Sequence, residues 1–387
     1  MQVVVTGATG HLGANTVREL LANGMDVRAL HHPASKTTAL DGLAVQRIAA
    51  DILEPQALRD AFRGADAVVH LAGLISIGGD LDGMVMRTNV QGARNVAEAC
   101  LAAGVRKLVH LSSIHAFRPS PELAVLDESS PRANRSSSAY DRSKAAGEDA
   151  VRAVAEAGLD LVILNPTGFI GPHDYDRSLA GRMLCRLFSG DLPLVVDGGF
   201  DWIDTRDVAG AIGSALQAEC CGQFLLCGHW VRVAELARLC GEISGRKTKR
   251  LAVPWQIACL GLPFEAAKPL LGAGPPSYTY QSLAILRDSR ANCDCGKARR
   301  ELGFTARPLP ETLQDAHAWY RAHMAEFGAG GSIVEQYTGR SSRRGAGTEG
   351  NGRSSRFSRH GPHRSPEFLA GDACPVWRCD FAETRSA

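Results

Sequence analysis

Through the first 166 residues, short runs rich in β-branched residues alternate with longer segments whose apolar residues recur at helical spacing. Residues 2–6, 26–30, 45–49, 67–71, 107–112 and 160–165 read as strands, and 12–23, 55–63, 84–103 and 140–157 as helices. A glycine directly follows each helical run, at positions 24, 64, 104 and 158, where a left-handed cap ends a helix. Parallel strands need crossover connections, so the alternation predicts an α/β fold with a doubly wound parallel sheet of Rossmann type.

Beyond residue 166 the pattern loosens, and proline and glycine become frequent. Residues 195–200 and 223–226 read as isolated strands, and 233–241 and 310–327 as helices. Residues 1–165 are therefore expected to form a nucleotide-binding domain, with some sheet elements contributed from later segments. Residues 166–327 are expected to form a smaller C-terminal substrate-binding region. The tail, 328–387, is rich in Gly, Ser and Arg, lacks Lys and has no apolar period, which predicts disorder. The apolar run 251–274 is interrupted by Pro254, Pro263, Glu265, Lys268 and Pro269, so it reads as a helical flap over a substrate pocket and not as a membrane span.

Composition narrows the class. Among 387 residues, 45% are hydrophobic and the net charge is +2, which argues for a globular protein without an affinity for nucleic acid or an anionic membrane. The 11 cysteines are scattered, and Cys100, Cys185, Cys240 and Cys259 lie in apolar helix-like runs, as reduced, buried thiols would. Cys293 and Cys295, and the adjacent Cys220 and Cys221, lack a second well-spaced ligand pair, so no metal is expected. The strand at residues 2–6 has no basic segment or cleavage site before it, and a cytoplasmic protein is expected.

Two motifs carry chemistry. Thr6-Gly7-Ala8-Thr9-Gly10-His11-Leu12-Gly13 joins the first strand to the first helix, with glycines at 7, 10 and 13. That spacing suits a tight turn, a close approach to pyrophosphate and close helix–sheet packing, with the phosphates at the helix N-terminus. At the end of the second strand there is no acid to bind a ribose diol. His32, Ser35 and Lys36 stand there instead, which points to NADP over NAD. Further on, Tyr140 and Lys144 are four apart, on one helix face. An ammonium beside a phenol lowers the phenol's pKa and yields a general acid/base usable near neutrality. Ser113 follows a strand and belongs at the sheet's carboxyl edge, where its hydroxyl can hold a substrate oxygen.

With these residues in order, the chain resembles an extended short-chain dehydrogenase/reductase of the NAD-dependent epimerase/dehydratase superfamily. It is most similar to the dihydroflavonol 4-reductase and 3β-hydroxysteroid dehydrogenase branch. The likeness runs over residues 1–327. It rests on the glycine turn, Asp51-Ile52, His70-Leu71-Ala72-Gly73, Thr88-Asn89-Val90, Leu111-Ser112-Ser113 and Tyr140-Asp141-Arg142-Ser143-Lys144. It continues through Asn165-Pro166-Thr167-Gly168, Gly171-Pro172 and Asp204-Thr205-Arg206-Asp207-Val208.

The resemblance implies that Gly7, Thr9, Gly10, His11, Leu12 and Gly13 cradle the cofactor. Asp51 and Ile52 would face its adenine, and Leu71, Ala72 and Gly73 its middle. Asn89 would support the site, while Pro166 and Thr167 would pack near the nicotinamide. Tyr140 would move the proton, Lys144 would lower its pKa and hold the ribose, and Ser113 would position the substrate oxygen. Ile114 and His115 stand where sugar-nucleotide dehydratases carry acids, which disfavours a dehydratase. The expected reaction is the interconversion of a secondary alcohol and a ketone on a small apolar molecule. The alternatives are a sugar-nucleotide epimerase with tightly bound NAD and a non-catalytic NADP sensor or scaffold. The resemblance also suggests a homodimer.

Overall fold

The structure is a computed structural model that describes residues 1–76, 79–118, 125–192, 194–246, 251–268, 271, 278–289 and 292–323. All of them fall in the first of two compact units, Met1–Arg340. The tail expected to be disordered and the last residues of the helix expected at 310–327 lie outside the described residues.

The predicted alternation is realised closely. In chain order come β1 (Gln2–Thr6), α1 (His11–Ala22), β2 (Asp26–His31), β3 (Gln46–Ala49), α2 (Pro55–Phe62) and β4 (Ala67–His70). The run expected as one helix at 84–103 is α3 (Met84–Met86), a π-helical stretch Arg87–Gly92, and α4 (Ala93–Ala103). Next are β5 (Lys107–Leu111), α5 (Ala139–Ala155) and β6 (Asp160–Pro166). Glycines 24, 64, 104 and 158 all take positive φ after their helices.

The second half contributes β7 (Gly168–Ile170), α6 (Leu179–Ser189), β8 (Leu194–Val196), β9 (Gly199–Asp204), α7 (Thr205–Gln217), β10 (Gly222–Leu226), β11 (His229–Arg232) and α8 (Val233–Ser244). It ends with β12 (Leu251–Val253), α9 (Trp255–Leu260), α10 (Leu262–Ala267), α11 (Tyr280–Asp288), α12 (Gly296–Leu302) and α13 (Leu309–His323). Among the described residues no helix is long and apolar enough to cross a membrane. The run expected as a flap is β12 followed by the short helices α9 and α10, with Leu260 and Phe264 largely exposed.

Seven parallel strands form the main sheet in the order β10-β6-β5-β4-β1-β2-β3. Its direction of winding reverses between β4 and β1, and ligands bind outside the carboxyl ends of strands at such a point. The inner strands are buried on both faces, which is why they read as continuous apolar runs. Val3 and Val5 of β1 point into one core with Val208 and Ile212 of α7, while Val4 points into the other with Phe62, Val96 and Val151.

Among the departures from the sequence expectation, two shape the sheets. The strand expected at 195–200 is two strands in different sheets: β8 pairs with β12, and β9 pairs with β7 and β11. The break falls at Gly198, which has φ of +158° and passes so close to Leu286 that a Cβ would lie 2.7 Å from its carbonyl oxygen. The second is α7, which packs under the main sheet although no helix was expected there. Its signal was present: Asp204 caps it, and Val208, Ala209, Ala211, Ile212, Ala215 and Leu216 form a helical stripe that is buried.

Candidate active site

The turn after β1 is shaped by close approaches. Gly7 has φ of +68°, and a Cβ there would lie 2.8 Å from the Ala72 nitrogen; a Cβ on Gly13 would lie 2.1 Å from the Gly7 oxygen. Gly10 caps α1 with no side-chain hydrogen bond and no acid in the first turn. The first-turn N–H groups of the helix are therefore left for an anion, and the donor set fits a pyrophosphate. Only the backbone of His11 is available for this. Its ring is buried behind the turn, with Nε2 3.1 Å from the Pro172 oxygen and 3.2 Å from Thr205 Oγ1. The Thr9 and Leu12 side chains are likewise buried.

At the end of β2 the fold adds what the sequence reading lacked. Asp51, which follows β3, brings a carboxylate to 3.6 Å from His32 Nε2. His32 Nδ1 accepts the Ala34 N–H at 3.1 Å, so the ring's proton belongs on Nε2, facing Asp51. The other oxygen of Asp51 accepts the Leu53 N–H. Ser35 is half-buried and Lys36 exposed; burial and then Asp174 push the nearby Asp176 carboxyl up, against the pull of Lys36. Ile52 is buried, and its carbonyl accepts a hydrogen bond from Asn95.

Leu71, Ala72 and Gly73 leave β4 along the mouth of the same crevice, with the Leu71 N–H bonded to the Thr6 carbonyl. A Cβ on Gly73 would lie 3.3 Å from Asn89 Oδ1 and 3.9 Å from Lys144 Nζ. Asn89 ties three segments together: its Oδ1 accepts the Leu74 N–H, and its Nδ2 donates to the Leu74 carbonyl and to Ser143 Oγ. The π-helical widening of the backbone there, a frequent feature of functional sites, carries Asn89 inward.

Ser138 caps α5, and the first turn beyond it presents Tyr140. Ser113 Oγ accepts the His115 N–H and hydrogen-bonds Tyr140, while the Ser113 carbonyl is held by Asn165. Lys144 Nζ donates to the Leu111 carbonyl at 3.0 Å. The three residues singled out for catalysis thus surround one spot at the carboxyl ends of β4 and β5. Thr167, at the end of β6, donates to Asp201, and Pro166 is buried beside it.

The electrostatics correct one expectation. Burial pushes Tyr140 up to about 12, which outweighs the Ser113 hydrogen bond, and Asp141 adds to the rise. The expected lowering by Lys144 does not occur, because that side chain gives up its own proton well below the pH at which Tyr140 ionises. Burial brings Lys144 down to about 8, against the pull of Glu148. Beneath them, burial and the Lys144 ammonium hold His70 down at about 3, and His110 is also held well below its ordinary range. Both imidazoles are neutral spacers, and His70 is tied to Thr6 Oγ1.

Sequence reasoning missed the neighbours of Tyr140. His115 Nδ1 lies 3.0 Å from Asp141 Oδ1, and its ring packs edge-on against Tyr140 and stacks with Phe200. His173 packs between Tyr175 and Trp319.

Comparison with known proteins agrees with this fold. Residues 3–224 match the family described as NAD dependent epimerase/dehydratase. Sterol demethylase protein B of Methylococcus capsulatus is 34% identical over 326 residues, covering 83% of this chain and 98% of the relative. A putative dihydroflavonol 4-reductase of Synechocystis is 30% identical, covering 82% and 94%. The solved structure of gox2253 is 30% identical with a TM-score of 0.71, covering 83% and 98%. The Thermus thermophilus UDP-glucose 4-epimerase, solved with NAD, is similar in fold, with a TM-score of 0.67 at 22% identity over 83% of this chain and 99% of that one.

Proposed function

The chain belongs to the NAD dependent epimerase/dehydratase family and is an oxidoreductase, and from that premise we propose that it reduces a ketone to a secondary alcohol on a small apolar molecule. The observation that carries this reading is the convergence of the Ser113 and Tyr140 hydroxyls on one another, beside the His115 ring. A substrate oxygen that displaces their mutual hydrogen bond meets two donors. Ser113 Oγ already accepts the His115 N–H, so its own proton is free to be given. Tyr140, pushed up to about 12, is a phenol at neutral pH and is poised to protonate a carbonyl oxygen. The reverse reaction needs the phenolate, which burial disfavours.

The first-turn N–H groups of His11 to Gly13 would hold the cofactor's pyrophosphate, and Lys144 a ribose hydroxyl. The bound nicotinamide supplies the hydride. Relatives named for sterols and dihydroflavonols support an apolar ring-bearing substrate. The residue pair after Ser113, Ile114 and His115, offers no acid for elimination of water.

Replacing Tyr140 with Phe is expected to leave cofactor affinity within about twofold and to lower turnover by at least two orders of magnitude, the usual contribution of a positioned acid. Retained turnover in Tyr140→Phe sinks this reading. For the cofactor, Ser35 and Lys36 favour a 2′-phosphate and Asp51 opposes it; we take the exposed Lys36 to decide for NADP. Fluorescence titration then gives tighter binding of NADPH than NADH, with the preference reduced about tenfold in Lys36→Ala. Tighter NADH binding, or NAD that co-purifies and cycles without net redox change, assigns the second-strand end to Asp51 and favours a sugar-nucleotide epimerase.

A further inference from the structure

Cys293 and Cys295 were set aside as a metal site because no second ligand pair accompanies them in the sequence. The fold supplies a third thiol. Cys227 directly follows β10, and its thiol hydrogen-bonds both Cys293 and Cys295. Cys295 Sγ also lies 3.9 Å from the Cys227 carbonyl oxygen. The segment carrying the pair is anchored: Leu126 N–H bonds the Asn292 carbonyl, Asp294 N–H bonds the Leu126 carbonyl, and Lys297 donates to the Gln223 carbonyl of β10. All three are free thiols, Cys227 and Cys295 buried and Cys293 part-exposed. Among the described residues no group of three or more His, Cys, Asp or Glu has an arrangement that could hold a metal ion.

We propose that Cys227, Cys293 and Cys295 form a reversible dithiol–disulfide site, in which Cys227 and Cys293 become bridged by exchange with a low-molecular-weight disulfide. Cys293 is the entry point because it is the most accessible of the three. Its thiolate attacks one sulfur of the small disulfide, forms a mixed disulfide and releases one small thiolate, which takes a proton from solvent. Cys227 then attacks the Cys293 sulfur and expels the second small thiolate. The Cys227 proton passes by way of Cys295, whose thiolate form is favoured by the hydrogen bond from Cys227 and, further off, by Arg299, to the departing small thiolate. The small disulfide is reduced to two thiols and the protein loses two hydrogens, so the exchange balances.

The site adjoins the reaction centre through the backbone. The Leu226 carbonyl, just before Cys227, accepts the Thr167 N–H, and the Gly228 N–H, just after it, donates to Asp201, which also accepts the Thr167 hydroxyl.

The test is incubation of the full chain with oxidised glutathione, followed by alkylation, digestion and mass spectrometry. The expected product is a Cys227 peptide joined to the Cys293 peptide, abolished by dithiothreitol. Cys227→Ser is expected to stop at a glutathione adduct on Cys293, and Cys295→Ser to slow bridging severalfold. Cys293→Ser, at a part-exposed position that tolerates the change, is expected to fold and to form no bridge, which keeps the test valid should the buried variants fail to fold. Adducts confined to Cys220, Cys221 or Cys259, a bridge that excludes Cys227, or stoichiometric zinc retention requiring all three thiols would each overturn the proposal.

Discussion

Lys144 carries its charge in a place that opposes it. Burial lowers it from 10.5 to about 8. The unfolded chain keeps the proton between these values and the folded chain releases it, so stability rises with pH across this window. Below about 8 the folded protein bears the full burden of a buried ammonium. Lys144→Met is therefore expected to be more stable than the parent at pH 7, by on the order of 1–3 kcal/mol after loss of the Leu111 hydrogen bond. The gain should close as pH approaches 10.5. Thermal denaturation at the two pH values checks this, and an equal difference at both would place Nζ in water. Tyr140, on the same helix, moves the opposite way for the same reason, because burial disfavours whichever form is charged.

Elements meet here with very different tolerances. A Cβ on Gly147 of α5 would lie 2.4 Å from the Asn89 carbonyl oxygen, in the π-helical stretch that braces the site. Neither partner can withdraw easily, since Asn89 is bonded to Leu74 and Ser143. Gly147→Ala is expected to destabilise by about 1–3 kcal/mol and to reduce turnover along with stability. Gly210 of α7 provides the contrast, because a Cβ there meets nothing within 4 Å. Gly210→Ala is expected to stabilise by about 1 kcal/mol through helix propensity alone. Urea denaturation of both variants separates close packing from backbone entropy.

Across the whole molecule, Glu148 binds α5, the helix that carries Tyr140 and Lys144, to the far edge of the sheet. Its buried carboxylate is paired with Arg132 and Arg152 and bonded to Asn165 of β6 and Gln223 of β10. It also lies one turn beyond Lys144, whose ammonium it favours. Glu148→Gln keeps the shape and removes the charge. The expected loss is about 2–4 kcal/mol, because two arginines lose their common partner. Loss of the Lys144 proton near 8 is expected to appear as an alkaline limb of kcat/KM, and in Glu148→Gln that limb should move to lower pH. An unmoved limb in a destabilised variant would show that Glu148 acts on the fold alone.

What the sequence determined by itself is local and periodic. The strand and helix alternation, the glycine turn at 7, 10 and 13, and the i,i+4 pairing of Tyr140 with Lys144 all depend on residues close in the chain, where backbone geometry leaves few alternatives. The Asp204 cap and apolar stripe of α7 were equally readable, though the short strands and glycines on either side obscured them. Only the tertiary structure decided what comes from distant segments. It set Asp51 against His32, His115 against Tyr140 and Phe200, and Cys227 against Cys293 and Cys295. Sheet order governs each of these meetings, and strand adjacency leaves no fixed spacing in the chain. The sign of the Tyr140 shift belongs with them. It is a balance between burial and neighbouring charge, and burial exists only once the chain has closed around the phenol.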